Sequence, residues 1–399
     1  MSTPVRRDPW AICVLCGVFG LLGWAFYLTA FCREPSQDWM VFYTAARSYW
    51  EHNLPLIVDG DRFTAVINDR FSTWLSWPLP LHPWLYPPHF LLYLLPFALI
   101  QPAVSCALFL LVGLTLAVAA IWTVAQGARE KWIHAGSLVF CPAAAITICL
   151  GQNSFFTSAL LVGGVALIRH RPLLGGALLG ILSFKPQLCL LVPVALIAAG
   201  RWRALTSAVL TALLLVLTSL LLFGAEIWRA WFDLMTGPST LYENWLVIGR
   251  LNGQSVYAIV ALLGASKTVA NLAQSLATLL AAGSVYWIFR RPTALDLQLS
   301  VLLAATMLAA PHIIGYDAVM LAIAAALLFC RASRERFRFG EAIIAVVAWL
   351  SPLANPPSVF WPGLLTPIVI ALFIGNLMLR AIAEPSTKRP TFSPATSPG

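Results

Sequence analysis

The sequence predicts an all-α protein that crosses a membrane many times. Of its 399 residues, 60% are hydrophobic and only 10% are charged, and the mean hydropathy is +0.82. Apolar runs near the length of a membrane-spanning helix recur throughout the chain. The lysines and arginines behind the net charge of +9 lie in short clusters between these runs, where they orient a membrane protein. This pattern excludes a soluble domain and nucleic-acid binding.

The first apolar span, at about 9–31, follows Arg6 and Arg7 and is too long for a signal-peptide core. We expect it to anchor the chain with the N-terminus in the cytoplasm. The acidic loop that follows, 32–85, suits the outer side. Within it, Gln37 to Asn53 has apolar residues at helical spacing, which predicts a helix lying along the membrane surface. The tryptophans around this loop suggest an interfacial belt; they are Trp39, Trp50, Trp74, Trp77 and Trp84.

Further spans are predicted along the rest of the chain, at about 102–125, 132–150, 153–168, 203–223, 269–289, 295–310, 313–330, 341–355 and 360–380. Three shorter apolar segments either cross or re-enter, and the residues leave this open; they are 86–100, 173–199 and 255–265. If only 173–199 crosses, twice, as two pieces meeting at Lys185-Pro186, about twelve crossings result, with both termini inside. Residues 1–380 then form one transmembrane domain with a second outer loop at 224–254. The Pro/Ser/Thr-rich end, 381–399, is predicted to be a disordered cytoplasmic tail.

This topology puts every basic cluster on the cytoplasmic side; the clusters are Arg129/Lys131, Arg169–Arg171, Arg201/Arg203, Arg290/Arg291, Arg331–Arg338 and Lys388/Arg389. The remaining polar segments fall together on the outer face; they are Asp38, Gly151–Asn153, Lys185–Gln187, Arg250–Gln254 and Pro311–Asp317. Polar side chains gathered on one face indicate a site at the membrane–water boundary.

Each of these residues has a functional and a structural interpretation. Asp38, at a helix start, either caps free backbone N–H groups or acts as a catalytic base. Lys185, between two apolar stretches, either extends its ammonium to the interface or neutralises a lipid phosphate. Arg250 is a second phosphate candidate or a solvated loop arginine.

The other polar candidates suit a sugar or an acceptor. Asp317, next to Tyr316 in an apolar run, is either an internal partner for a basic group or a member of the site. His312 either makes a hydrogen bond at a helix end or belongs to the site. Amides either bind sugar hydroxyls or satisfy loop backbone; those concerned are Gln152, Asn153, Asn252 and Gln254.

Six motifs follow one another along about residues 37–325. They read D-W-M-V-F-Y-T-A-A, Y-P-P-H-F-L-L-Y-L-L-P, G-Q-N-S, R-H-R-P-L-L-G-G-A-L-L-G-I-L-S-F-K-P-Q, R-L-N-G-Q-S-V and P-H-I-I-G-Y-D. In this order they resemble glycosyltransferase family 87, whose best-known members are polyprenol-phosphate-mannose-dependent α-1,2-mannosyltransferases of bacterial envelopes.

The resemblance implies a GT-C architecture in a bacterial plasma membrane, with the active site facing away from the cytoplasm. It implies a catalytic aspartate in the first outer loop, which is Asp38 here, and roles near the site for Gln152, Lys185 and Asn252. It leaves the sugar open. Some members carry histidines in the segment that matches Pro311–Asp317; this chain has His312 and the Tyr316-Asp317 pair there, so the resemblance assigns no role to His312.

The chemistry of such a transfer assigns roles to the charged residues. A polyprenyl phosphate leaves as an anion and needs positive charge, for which Lys185 and Arg250 are candidates. The acceptor hydroxyl on a glycolipid or glycan needs one base, Asp38. Displacement with a single base inverts the anomeric centre.

We expect neither a metal nor another cofactor. Asp59 and Asp61 have the spacing of a D-x-D metal site but lie in the middle of a loop. Cys13 and Cys16 lie inside the first span, and no second ligand pair follows them.

Two other classes of protein fit the hydropathy. A lipid or sugar transporter or flippase also needs many spans, but typically has repeated halves and charges near the bilayer midplane. A non-catalytic scaffold would explain the spans but not the polar residues gathered on one side. The oligomeric state is open.

Overall fold

The computed structural model describes residues 9–30, 36–236, 253–354 and 365–384, and every regular element in these segments is a helix. The α-helices, numbered in chain order, are α1 (Pro9–Ala30), α2 (Gln37–Trp50), α3 (Gly60–Arg70), α4 (Leu91–Leu94), α5 (Pro102–Trp122), α6 (Ala128–Phe140), α7 (Pro142–Leu150), α8 (Ser154–Leu167), α9 (Pro172–Ile181), α10 (Pro186–Cys189), α11 (Val192–Ala198), α12 (Trp202–Phe223), α13 (Ala225–Thr236), α14 (Val256–Leu262), α15 (Lys267–Arg290), α16 (Leu295–Ala309), α17 (Val319–Glu335), α18 (Glu341–Leu350) and α19 (Thr366–Ala383). Short 3₁₀ helices lie at Leu54–Val58, Pro88–Phe90, Phe97–Leu99, Leu182–Phe184, Gly315–Ala318 and Ser351–Ala354.

Several helices are long and apolar enough to cross a membrane, as predicted. Among the described residues, five meet this description, namely α5, α12, α15, α19 and the stretch Gly315–Glu335 that contains α17. A sixth candidate is the pair α6 and α7, which is bent by 53°. The bend falls where Pro142 begins α7, because proline cannot donate the backbone hydrogen bond that would continue α6.

The three ambiguous segments are broken into short pieces. The stretch 86–100 holds two 3₁₀ turns and the four-residue α4, and none of these pieces could cross a bilayer alone. Within 255–265 the helix α14 has 7 residues. The chain between 172 and 198 breaks at Lys185, directly before Pro186 begins α10. The predicted break is therefore confirmed, while the number of crossings stays a prediction.

The helix α17 is the centre of the bundle. In the most apolar 18 residues of the stretch Gly315–Glu335, 94% of the positions are buried inside the protein. The helices α6, α16 and α18 pack around α17. The corresponding figure for α12 is 6%, so most of its leucines face outward, as in a helix that borders lipid. Its contact with α9 is close because Gly176 and Gly180 leave room for the backbone at Ala204 and Ala208.

The segment 36–85, between α1 and the 3₁₀ turn that begins at Pro88, folds onto the bundle. The predicted helix at Gln37 is confirmed as α2, but its apolar side chains pack inside the protein: Trp39 and Phe42 are at most 1% exposed. Trp39 packs against Phe109 of α5, with ring centroids 4.7 Å apart. The belt interpretation is therefore wrong for Trp39 and for Trp84, which is 1% exposed. The aromatic rings of this segment and of the bundle pack into one core. Packed in this core, the rings bury more apolar surface than they would at the membrane interface.

A network of ion pairs connects the C-terminal end of α17 to neighbouring helices. Arg331 pairs with Asp296 of α16 at 2.8 Å, and Arg380 of α19 pairs with Glu341 of α18 at 2.6 Å. The other members of this network are Glu130, Arg334, Glu335 and Glu384. Clustered arginines that were predicted to set the orientation thus also join helices to one another.

Candidate active site

One cavity of about 600 Å³ collects most of the residues that the sequence singled out. It lies where α2, α7, α10 and the 3₁₀ turn at Gly315–Ala318 meet. The predicted residues that line it are Asp38, Gln152, Lys185, His312, Tyr316 and Asp317. These six therefore share one cavity although they come from distant parts of the chain, while the membrane face on which they lie stays a prediction.

Asp38 lies in the first turn of α2 and is half-buried. Its carboxylate Oδ2 accepts a hydrogen bond from Nε2 of Gln152 at 2.9 Å. The capping interpretation finds no support among the described residues, because α2 has Ser36 as its N-cap and no side chain there accepts a hydrogen bond from the helix. One carboxylate oxygen is thus left toward the cavity.

The turn that carries Gln152 is shaped by Gly151. Gly151 ends α7 with a φ of 68°, a left-handed conformation that glycine adopts without strain. A Cβ atom at this position would lie 2.5 Å from Cβ of Trp39, so the absence of a side chain also lets α2 approach. The turn therefore brings Gln152 to Asp38.

Tyr86 holds the side-chain amide of Gln152 in place through hydrogen bonds. Its hydroxyl donates to Oε1 of Gln152 at 3.4 Å and accepts from Nδ2 of Asn153 at 3.1 Å. The backbone N–H of Asn153 donates to the same Gln152 oxygen at 3.0 Å. These bonds orient Gln152 so that its Nε2 points to Asp38. Asn153, which is fully buried, acts here as a support and does not line the cavity.

Burial raises the pKa of Asp38 above its usual value. The hydrogen bond from Gln152 and the positive charges nearby act in the opposite direction and lower the pKa, while the negative charge of Asp317 raises it further. A carboxylate with a raised pKa accepts a proton more readily, which is what a general base requires.

The lining of the cavity also includes a buried ion pair. Nζ of Lys185 lies 2.9 Å from Oδ1 of Asp317, and these side chains are 3% and 6% exposed. The ammonium also lies 5.2 Å from the ring centroid of Tyr316. The other oxygen of Asp317 accepts from the backbone N–H of Ile314 at 3.3 Å. Lys185 therefore does not extend to the membrane surface. Asp317 is its internal partner, and because Asp317 also lines the cavity, its role in the site stays a prediction.

His312 lies in the loop between α16 and the turn at Gly315, and it lines the cavity. Desolvation by burial lowers the pKa of His312 to about 4, so its imidazole is neutral at physiological pH. His82, which follows α3, lines the cavity as well. The sequence indicated no role for His82 or Tyr86; the signal available for Tyr86 was its position at the start of the Y-P-P motif.

The remaining predicted residues lie elsewhere. Gln254 is fully buried, and its backbone N–H donates to the carbonyl of Ile313 at 3.0 Å. Its side-chain amide has no hydrogen-bond partner among the described residues, and it does not line the cavity. Arg250 and Asn252 fall in the range 237–252, outside the described residues.

Of the two aspartates with D-x-D spacing, Asp59 has a local structural role. Asp59 caps α3, since its Oδ1 accepts a hydrogen bond from the backbone N–H of Arg62 at 3.1 Å. Another group with metal-ligand chemistry lies in the bundle and consists of Glu130, His134 and Cys330. Both carboxylate oxygens of Glu130 are already engaged, one by Arg334 and one by the backbone N–H of Gln126.

Comparison with known proteins identifies a family. The family model of glycosyltransferase family 87 matches residues 84–311, a range that contains Gln152 and Lys185. Asp38 and the segment from His312 to Asp317 lie outside the matched range. No curated protein and no solved structure shows significant similarity to the chain.

Proposed function

Because the chain belongs to glycosyltransferase family 87, we propose that it transfers mannose from a polyprenyl-phosphate donor to a hydroxyl group of a glycolipid or glycan. The observation that supports this proposal is that Asp38, which accepts a hydrogen bond from Gln152, and the Lys185–Asp317 ion pair line the same cavity. The reaction takes place on the extracytoplasmic face of a bacterial plasma membrane.

Asp38 is the general base of the proposed reaction. The acceptor hydroxyl loses its proton to the carboxylate of Asp38 as its oxygen attacks the anomeric carbon. The bond from that carbon to the donor phosphate breaks, and the polyprenyl phosphate leaves with the electron pair. Because a single displacement occurs, the anomeric configuration inverts.

Lys185 and Arg250 stabilise the departing phosphate. A phosphate leaving group needs positive charge rather than a proton donor, and Lys185 offers its ammonium in a nearly water-free wall. With two cationic side chains in this role the transfer needs no metal ion, so a chelator such as EDTA should leave the rate unchanged.

The polar residues beside these groups bind the sugar and the acceptor. Gln152, His312 and Tyr316 line the cavity and have hydrogen-bonding groups that suit sugar hydroxyls. Asp317 reaches the sugar from its ion pair with Lys185. Asn153 and Gln254 do not line the cavity, so we assign them a supporting role behind it, and Asn252 stays a proposed contact of the acceptor.

The proposed topology has about twelve crossings, both termini in the cytoplasm and α2 close to the outer membrane surface. The cavity then opens where a lipid-linked donor can enter from the bilayer. Trp77, which is 76% exposed, suits this interfacial position.

The test is transfer of radiolabelled mannose from synthetic polyprenyl-phosphate-mannose to membrane glycolipids by purified protein. Wild type should transfer, and Asp38→Asn should lose at least about a hundredfold in rate, the contribution of a positioned base. Asp69→Asn removes an exposed carboxylate from the same loop and should transfer at the wild-type rate.

Near-wild-type activity of Asp38→Asn would refute the base assignment. If the wild type itself fails with mannose, the same assay with other polyprenyl-phosphate sugars decides whether only the sugar was wrong. Failure with every such donor would refute the proposed donor class.

A further inference from the structure

Four arginines meet at a second cavity, about 530 Å³ in volume. They come from three separate helix junctions, which contribute Arg169, Arg201 and the pair Arg290 and Arg291. All four side chains are exposed at the surface of the protein. The residues that line this arginine cavity include no aspartate and no glutamate.

The arginine cavity lies at the other end of the bundle from Asp38. The helix α8 begins directly after Gln152 and Asn153 and ends beside Arg169. Its 14 residues correspond to a length of about 21 Å. The helix α16 likewise runs from Leu295 in the arginine cavity to Ala309, three residues before His312. The two cavities are therefore separate sites.

The positive charges in this cavity have no acidic partners among the described residues. The interactions observed there are with neutral groups: Arg169 donates to Oε1 of Gln298 at 3.4 Å, Arg290 to the hydroxyl of Tyr286 at 3.0 Å, and Arg291 stacks over Trp287 at 3.8 Å. The arginines of the nearby network behave differently, because Arg331 and Arg334 both pair with Asp296. Four uncompensated guanidinium groups around one space attract an anion.

The wall of the cavity indicates which anion. Apolar side chains line it beside the arginines; they are Val165, Ile168, Leu196, Phe289 and Leu295. A free phosphate would leave these groups unused, and the volume exceeds what one phosphate needs. An anionic phospholipid combines a phosphate, which pairs with guanidinium, with acyl chains that cover apolar surface.

We propose that the arginine cavity binds the headgroup of an anionic phospholipid. The phosphate lies between Arg169, Arg201 and the pair Arg290 and Arg291, and the first carbons of the acyl chains contact the apolar wall. The alternative is that these arginines attract anionic lipids only through their general charge, as part of the orientation signal. This proposal does not depend on the donor or on the role of Asp38.

The test compares two double variants that remove the same charge from the same helix junctions. Arg169→Gln with Arg201→Gln removes two of the four positive charges that line the cavity. Arg171→Gln with Arg203→Gln removes two exposed arginines that lie two residues further along the chain and do not line it. Binding of dioleoylphosphatidylglycerol and dioleoylphosphatidylcholine to the purified protein is measured by native mass spectrometry. Inorganic phosphate and pyrophosphate are added as soluble competitors in a separate arm.

Wild type should bind phosphatidylglycerol at least about tenfold more tightly than phosphatidylcholine. The Arg169/Arg201 variant should lose about ten- to thirtyfold in affinity for phosphatidylglycerol, and the Arg171/Arg203 variant should stay within about twofold of wild type. The independent variant Arg290→Gln with Arg291→Gln should repeat the loss.

Equal losses in the two matched variants would overturn the proposal in favour of diffuse attraction. Equal binding of the two lipids by wild type would overturn it as well. Displacement of the lipid by millimolar pyrophosphate would show that a soluble anion is the occupant instead.

Discussion

At the level of single residues, Asp38 and His312 are two groups in the candidate active-site cavity whose protonation bears on the proposed reaction. Asp38 must be ionised to accept a proton. Burial raises its pKa above the ordinary 3.8, so the charged form, and with it the rate, is lost as the pH falls through that raised value. The acid limb of kcat/KM should therefore lie above the pH at which an ordinary aspartate titrates.

Gln152→Leu should move this acid limb to higher pH, because the lost hydrogen bond from Gln152 favours the charged form of Asp38. The measurement is the pH profile of kcat/KM for wild type and variant. His312→Asn serves as the comparison, since the pKa of His312 is about 4. The acid limb of the His312→Asn profile should lie at the same pH as in wild type, even if the rate itself is lower. Loss of the acid limb in this variant would identify His312 as the titrating group.

Lys185 is a proposed contact of the donor phosphate and also packs in the cavity wall, and a pair of variants separates these two roles. Lys185→Met alone leaves Asp317 buried without its partner and should cost about 3–5 kcal/mol in the free energy of unfolding. Adding Asp317→Leu should restore most of that stability.

Activity should behave differently from stability in this pair. If Lys185 binds the donor phosphate, the double variant regains its fold in a detergent unfolding assay but not its use of the donor. Recovery of wild-type donor KM in the double variant would show that Lys185 only stabilises the wall.

At the level of elements, the turn between α7 and α8 determines how closely α2 packs against the bundle. Gly151 is left-handed and in contact with Trp39 of α2. Gly151→Ala should lose at least about 1–2 kcal/mol of stability from the backbone conformation alone, and activity should fall because α2 carries Asp38.

The matched comparison is Gly136→Ala in the interior of α6, where an added Cβ meets nothing within 4 Å. Alanine favours a helix over glycine by about 1 kcal/mol, so this variant should be at least as stable as wild type. The readouts are the thermal midpoint in detergent and the transfer rate. A Gly151→Ala protein that is as stable and active as Gly136→Ala would contradict the tight-turn argument.

At the level of the whole molecule, the ion-pair network holds five helices together far from the active-site cavity. Arg380 is 2% exposed and Glu341 is 1% exposed. Arg380→Met should cost about 3–5 kcal/mol because the buried carboxylate of Glu341 loses its partner. The double variant with Glu341→Leu should recover most of this loss.

Arg47 supplies the comparison, because in its ion pair with Glu51 each of the two side chains is more than a third exposed to solvent. Arg47→Met should change stability by less than about 1 kcal/mol. Unfolding of each purified variant in a denaturing detergent provides the measurement, and equal effects at Arg380 and Arg47 would argue against a structural role for the buried network.

By itself the sequence determined the helical membrane class, the family, most helix positions and the break at Lys185. These features follow from local properties, namely the length of apolar runs, the position of proline and the order of short motifs. They need no knowledge of which helix packs on which. The same local view recognised Asp38, Gln152 and Lys185 as unusual polar residues in apolar surroundings.

Only the tertiary structure decided which partner each polar residue has. Lys185 and Asp317 are 132 positions apart in the chain, and Asp38 and Gln152 are 114 apart, so no local pattern pairs them. For the same reason the tryptophans at 39 and 84 resembled an interfacial belt until packing showed them inside an aromatic core. The role of Tyr86 and the existence of the arginine cavity could not be predicted, because they arise from contacts between helices that are distant in the sequence. Burial and charge compensation are properties of the packed bundle and not of any single segment.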